Sequence, residues 1–215
     1  MRLLKTSELT SHPGGWIVFD FGNVIIEIDP PRSIEAFQAL GAPADLHLDA
    51  DYFHEFETGA LSAAGFRDTL RGQLRWAAAD SSIDRAWNEL LLEVPPRTLA
   101  KLHQLKAKGY KLALLSNTNP IHIDKVRRRL GPHGYAAFAR CFERVFYSFD
   151  MGLRKPDPAI YAAVERGLGI TSPNEVLFVD DNAANIAAAR ARGWNAHLFT
   201  DAEGLEAALI AAGLL

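Results

Sequence analysis

Thiols are almost absent from this chain: Cys141 is the only cysteine among 215 residues. That excludes an intrachain disulfide and any thiolate cage for a metal. Long apolar runs are missing too. The longest, Ala207 to Leu215, is about half of what a membrane-crossing helix requires, and the opening residues MRLLKTSELTSHPGG carry no apolar block of the signal-peptide kind. A reducing, cytoplasmic setting without a membrane partner is expected. An excess of one charge is also lacking. Lys and Arg number 23 against 26 Asp and Glu, a formal charge of -3, so no global positive field draws the chain to nucleic acid. The basic run Lys125-Val126-Arg127-Arg128-Arg129 falls on an expected helix and reads as a solvated face. Small molecules are the expected partners, with the chain a monomer or homodimer.

What is present is an ordinary globular composition, 48% hydrophobic and 23% charged. At roughly 150 residues per domain, the length suits one domain carrying a sizeable insertion. Short apolar runs at Trp16–Phe19, Leu112–Leu115, Val145–Tyr147 and Val176–Val179, with a weaker one at Ala196–Phe199, are too brief for helices and read as buried strands. Helical segments alternate with them, which predicts an α/β fold: a doubly wound parallel sheet, covered on both faces. The alanine-rich helix over Asn182–Arg192 should stop at Gly193, which suits a left-handed cap. The alternation fails between Asp29-Pro30-Pro31 and Val94-Pro95-Pro96, where about 65 residues carry helical spacing, as in Phe66, Leu70 and Leu74. Residues 30–94 are therefore expected to form a helical cap on a core made of 1–29 and 95–215. The Pro-Pro pairs, which interrupt secondary structure, are the expected hinges.

In an open parallel sheet, ligands sit beyond the carboxyl ends of the strands. Here those ends are polar: Asp20-Phe21-Gly22-Asn23-Val24, then Ser116-Asn117-Thr118-Asn119, then Asp180-Asp181-Asn182. Lys155 sits in Leu153-Arg154-Lys155-Pro156-Asp157-Pro158, a segment its prolines should keep extended until a helix begins near Pro158. Taken singly, each has a blander explanation as a turn residue, a helix cap or a solvated lysine. Taken together, three carboxylates at converging strand ends would repel by about 4 kcal/mol per pair at 4 Å and an effective dielectric near 20, unless a cation lies between them. Oxygen ligands without cysteine or suitably spaced histidine select a hard ion, Mg2+. With Lys155 beside it, such a site suits a phosphate dianion. The Ser116 hydroxyl and the Asn117 amide, at a turn into the helix opened by Pro120, are further expected donors.

These motifs resemble those of the haloacid dehalogenase-like (HAD) superfamily, in its capped phosphohydrolase branch with a Rossmann-like core. Phe19-Asp20-Phe21-Gly22-Asn23-Val24 is similar to the first motif and Leu115-Ser116-Asn117 to the second. Arg154-Lys155-Pro156-Asp157 is similar to the third, and Phe178-Val179-Asp180-Asp181-Asn182-Ala183-Ala184-Asn185 to the fourth. The segment Phe56 to Ser62 also resembles part of such caps. The resemblance implies a phosphatase in which Asp20 attacks phosphorus to form an aspartyl-phosphate, Lys155 balances charge and Ser116 orients the phosphoryl group. It also implies that Asp20, the Gly22 carbonyl, Asp180 and Asp181 hold Mg2+, with Gly22, Asn23 and Asn117 lining the phosphate site.

The sequence departs from the family pattern where Gly22 replaces the usual second aspartate, the general acid and base. Its absence should cost about 100- to 10,000-fold on a poor alkoxide leaving group. A better leaving group, the anomeric oxygen of a sugar 1-phosphate, is therefore expected, in line with the resemblance to glucose-1-phosphate phosphatase-like members. Glu27 and Asp29 are possible substitutes but read as solvated; His54 and Glu57, in the insertion, face either substrate or solvent. Asn185 stands where many relatives carry an acid and is expected to ligate Mg2+ or to bond the lysine. The same fold admits other functions: a phosphometabolite-binding or regulatory protein with weak catalysis, a phosphotransferase or mutase, and a dehalogenase.

Overall fold

A computed structural model describes residues 15–211. The polar arm before Gly15 and the last residues of the Ala207–Leu215 run lie outside them. The elements follow in the order β1 (Trp16–Phe19), α1 (Pro30–Ala39), α2 (Asp51–Glu57), α3 (Ala63–Arg71), α4 (Asp80–Asn88), α5 (Pro96–Ala107), β2 (Lys111–Ser116), α6 (Pro120–Ala139), β3 (Arg144–Tyr147), α7 (Ser148–Met151), α8 (Pro158–Leu168), β4 (Val176–Asp180), α9 (Ala183–Ala191), β5 (Asn195–Leu198) and α10 (Ala202–Ala211). The strands make one sheet of order β3-β2-β1-β4-β5, and every pairing is parallel.

Strand alternation sends side chains to two cores. Ile17, Phe19, Leu112, Leu114, Leu177 and Val179 pack with residues of α5, α6 and α10. Val18, Ala113, Leu115, Val176 and Phe178 pack with α8 and α9, where Tyr161 and Trp194 fill the layer. Burial on both faces explains why the central strands read as unbroken apolar runs. The cap of α9 follows expectation: Gly193 adopts φ +93 and its N–H reaches the Arg190 carbonyl at 2.9 Å.

Two local expectations need correction. Pro30 and Pro96 each occupy the first position of a helix instead of interrupting structure on both sides, because a missing N–H costs nothing there. The crossings between sheet and insertion lie just outside them and pair with each other. Leu92 N–H donates to Glu27 at 2.9 Å, and Asp29 N–H to Leu90 at 2.8 Å. Nor is the chain extended before Lys155. It passes from β3 straight into α7, which Gly152 closes at φ +66, and then turns.

Helices α1–α4 close around an aromatic cluster. Phe56 stacks on Phe66 at 4.2 Å, and Phe53 lies 5.0 Å from Trp87. Each ring contributes about 1.5–3 kcal/mol by burial. Ser33, fully buried, ties α1 to α4 by donating to the Trp87 carbonyl at 2.9 Å and accepting from Leu90 N–H at 3.0 Å.

Candidate active site

The sheet order decides which strand ends meet. The chain leaves β1 for β2 and β3 on one side and later fills β4 and β5 on the other, so the crevice at the switch point lies between β1 and β4. Phe19 pairs with Val179, and Asp20 N–H donates to the Val179 carbonyl at 2.8 Å. That register sets Asp20 beside Asp180 at the carboxyl edge of adjacent strands.

Lys155 reaches this edge from the turn before α8 and is only 1% exposed. Its ammonium donates to Asp20 Oδ1 at 2.7 Å, Asp180 Oδ2 at 2.7 Å and the Leu115 carbonyl at 3.0 Å, which uses its three protons. The Asn117 carboxamide clamps the Lys155 backbone. Its Oδ1 accepts from Lys155 N–H at 2.8 Å, and its Nδ2 donates to the Lys155 carbonyl at 2.9 Å. The Asn117 side chain therefore holds the lysine instead of pointing to a ligand.

Asp180 is saturated. Besides Lys155, it accepts from Asn182 N–H at 2.8 Å and from Asn185 Nδ2 at 3.0 Å to each oxygen. Asn185 thus bonds Asp180 and not the lysine: its amide protons are drawn to the buried carboxylate beside it. Asp181 is partly exposed, and its Oδ2 accepts from Asn23 Nδ2 at 2.9 Å. Asn23, at φ +55, turns its Oδ1 to the Ile28 N–H at 3.2 Å. Its side chain is also spent on protein. Ser116 is 2% exposed, and its hydroxyl has only a long 3.4 Å contact to the Asn117 carbonyl. That proton is free to turn elsewhere.

The electrostatics are unbalanced. One carboxylate oxygen from each of Asp20, Asp180 and Asp181 lies within 4.8 Å of the others, and Lys155 offsets one of three negative charges. Burial pushes Asp20 up to about 7, with Lys155 pulling down and Asp180 pushing up. Burial also works against the Lys155 charge, but Asp20 and Asp180 hold it above the ordinary lysine value. A hard divalent cation fits the oxygen donors of Asp20 and Asp181, with two negative charges uncompensated, whereas Asp180, expected among its ligands, has both oxygens engaged by Lys155, Asn182 and Asn185.

Position 22 offers no acid and little room for one. A Cβ there would stand 3.3 Å from Ile28 Cδ1, so an isoleucine lies where a longer side chain would start. Away from its two crossings, the insertion meets the sheet core through side chains and close backbone approaches. Arg154 Nη2 donates to Glu57 Oε2 at 3.0 Å. Gly59, at φ +72, lies so close to the Phe149 carbonyl that a Cβ would come within 2.5 Å of it. His122 stacks on Trp87 at 4.4 Å between centroids and shares a 3.2 Å hydrogen bond with its carbonyl.

The sequence reasoning missed His122 and did not resolve Glu57. The signal for His122 was its place in the first turn of α6, three residues after the cap Asn119, whose carboxamide lies 3.1 Å from His122 Nδ1. Glu27 is exposed, as a solvated flap residue should be.

The chain is similar to known proteins in sequence and in fold. D-ribitol-5-phosphate phosphatase of Bacteroides thetaiotaomicron is 35% identical over 176 residues, 79% of this chain and 84% of that protein. A phosphorylated carbohydrates phosphatase of Thermotoga maritima is 27% identical over 185 residues, 82% of this chain and 81% of that one. A HAD family enzyme of B. thetaiotaomicron, solved with magnesium and inorganic phosphate, superposes with a TM-score of 0.79 at 32% identity, covering 89% of this chain and 98% of that one. Residues 16–193 match the haloacid dehalogenase-like hydrolase family. Because that span runs from β1 past α9, through every element that carries the carboxylates and the lysine, the chain belongs to the haloacid dehalogenase-like hydrolase family.

Proposed function

We propose that the chain is a Mg2+-dependent phosphatase of small phosphorylated carbohydrates, working through an aspartyl-phosphate on Asp20. The observation that carries this reading is the buried Lys155 ammonium joining Asp20 to Asp180 at 2.7 Å each. It fixes the Asp20 carboxylate, by its Oδ1, at the carboxyl end of β1. The relatives that act on ribitol 5-phosphate and on phosphorylated carbohydrates support the substrate class.

Asp20, the Gly22 carbonyl and Asp181 would hold the Mg2+, with Asp180 anchoring Lys155 beside them. The ion, when bound, supplies the positive charge that lets a carboxylate approach a phosphate dianion. Asp20 forms the bond to phosphorus, and a carboxylate needs no base to activate it. Lys155 balances the charge gathered on the phosphoryl oxygens, and the Ser116 hydroxyl, turning from its long contact to the Asn117 carbonyl, donates to one of them. Residues 30–94 act as a cap over the core of 1–29 and 95–215, selecting the organic group and excluding water.

A screen of phosphate release over phosphorylated metabolites, with and without Mg2+ and with Asp20→Asn as the blank, tests the reading. Wild-type turnover by that variant, or turnover that ignores a chelator, overturns it. The finer reading follows from Gly22. An anomeric phosphate leaves more easily than a primary alkyl one, so if no other residue protonates the departing oxygen in place of a side chain at position 22, glucose 1-phosphate should be cleaved faster than glucose 6-phosphate. Equal or reversed rates remove that argument.

A further inference from the structure

The phosphatase reading leaves one task without a residue: delivering a proton to the departing oxygen of an alkyl ester. Position 22 has no side chain, and Ile28 packs against it. The exposed Glu27 stands in water. Glu57 differs from both. It ends α2 in the insertion, its side chain is 20% exposed, and Arg154, the residue before Lys155, grips one of its oxygens at 3.0 Å. The grip brings a carboxyl group of the insertion against the segment that carries the buried lysine. Gly59 under the Phe149 carbonyl fixes the same end of α2 to the core.

We propose that Glu57 is the proton donor and acceptor of the reaction, supplied by the insertion in place of a side chain at position 22. The proposal rests on the phosphatase reading above. Burial pushes the Glu57 carboxyl above its ordinary value, while the charged groups around it, Arg154, His54 and Lys155, pull the other way. What the geometry supplies is a carboxyl group that Arg154 holds in place at 3.0 Å on the segment of Lys155, and a general acid and base must be positioned before its pKa matters.

The steps balance. As Asp20 bonds to phosphorus and the ester P–O bond breaks, the Glu57 proton passes to the departing oxygen, giving a neutral alcohol and a Glu57 carboxylate. That carboxylate then takes a proton from water as the water oxygen attacks the aspartyl-phosphate. Phosphate leaves, Asp20 regains its carboxylate, and Glu57 is protonated again.

Leaving-group dependence tests this, with wild type, Glu57→Gln and Asp20→Asn compared on p-nitrophenyl phosphate and on the alkyl phosphate that wild type cleaves fastest. The value of kcat/KM reports only steps through phosphoenzyme formation, and p-nitrophenolate departs without a proton. Glu57→Gln should lose about 100- to 10,000-fold in kcat/KM on the alkyl ester but less than about tenfold on the aryl one. It should also release a burst of p-nitrophenolate equal to the enzyme, because the second step has lost its base. Equal losses on both esters, or loss on neither, overturn the proposal, since a merely structural role moves both together. A wild type that cleaves the aryl ester and no alkyl ester overturns it too, whereas one that cleaves neither, like its Asp20→Asn variant, sinks the phosphatase reading itself. Independently of any variant, wild-type kcat/KM should decline only shallowly across aryl phosphates of rising leaving-group pKa. A steep decline refutes a working proton donor.

Discussion

Replacing Lys155 by Met keeps an unbranched chain of similar length but removes the charge that joins Asp20 to Asp180. The two carboxylates then face each other, with ligand oxygens within 4.8 Å, a repulsion of about 3.5 kcal/mol at an effective dielectric near 20. Removing one partner from a buried ionic group costs about 3–5 kcal/mol. For a chain of this size each kcal/mol moves Tm by about 2–4 °C, so the variant should melt about 6–20 °C below wild type in metal-free buffer. The loss should depend on pH. Burial already pushes Asp20 up to about 7, and without Lys155 it escapes the repulsion by taking up a proton, so the deficit is smaller at pH 6 than at pH 9. Adding Asp20→Asn to Lys155→Met removes the same repulsion and should recover at least half of the lost Tm. Thermal melting followed by circular dichroism reads all of these. A Lys155→Met protein melting within about 2 °C of wild type at pH 9 would refute the reasoning.

His122 is buried and burial lowers it to about 4, with the Trp87 carbonyl pulling up. Its unfolded value is near 6.5, so its contribution is fully present above 6.5 and lost as pH falls toward 4, about 3 kcal/mol in all. His122→Asn should flatten the stability difference between pH 7 and pH 4 relative to wild type in denaturant titrations; an unchanged slope refutes the assignment. Gly59→Ala sets a methyl against the Phe149 carbonyl at a left-handed φ and should cost at least about 2 kcal/mol. A melt indistinguishable from wild type would show that the insertion does not dock there. Gly22→Asp meets Ile28 and should lose about 1–3 kcal/mol without gaining alkyl phosphatase activity. A faster variant would mean that position 22 alone limits the rate. Chelation should lower Tm and abolish phosphate release, and Mg2+ should restore both, by mass action on the folded state; activity that survives a chelator rules the ion out.

The parallel sheet was legible because its strands are buried on both faces, and such strands advertise themselves as short apolar runs that no helix could use. The site was legible for a related reason. Asp20, Ser116 and Asp180 each follow an apolar run, and a chain that turns back at a strand's carboxyl end leaves its next polar residue at the sheet edge. The turn before Lys155 was not legible, because α7 has four residues and little periodicity of its own.

Residue types and spacing alone therefore determined an α/β sheet with helices inserted after its first strand, and a set of acids, a serine and a lysine at strand ends. Tertiary structure alone decided how those groups divide their work. Asp180, rather than Asp181, receives the lysine, because the register of β1 on β4 lays Asp180 beside Asp20. Asn185 serves Asp180 because α9 turns it back onto β4. Glu57 is held by Arg154, 97 residues away. Such pairings depend on where distant segments cross in space, and no local pattern of residues encodes that.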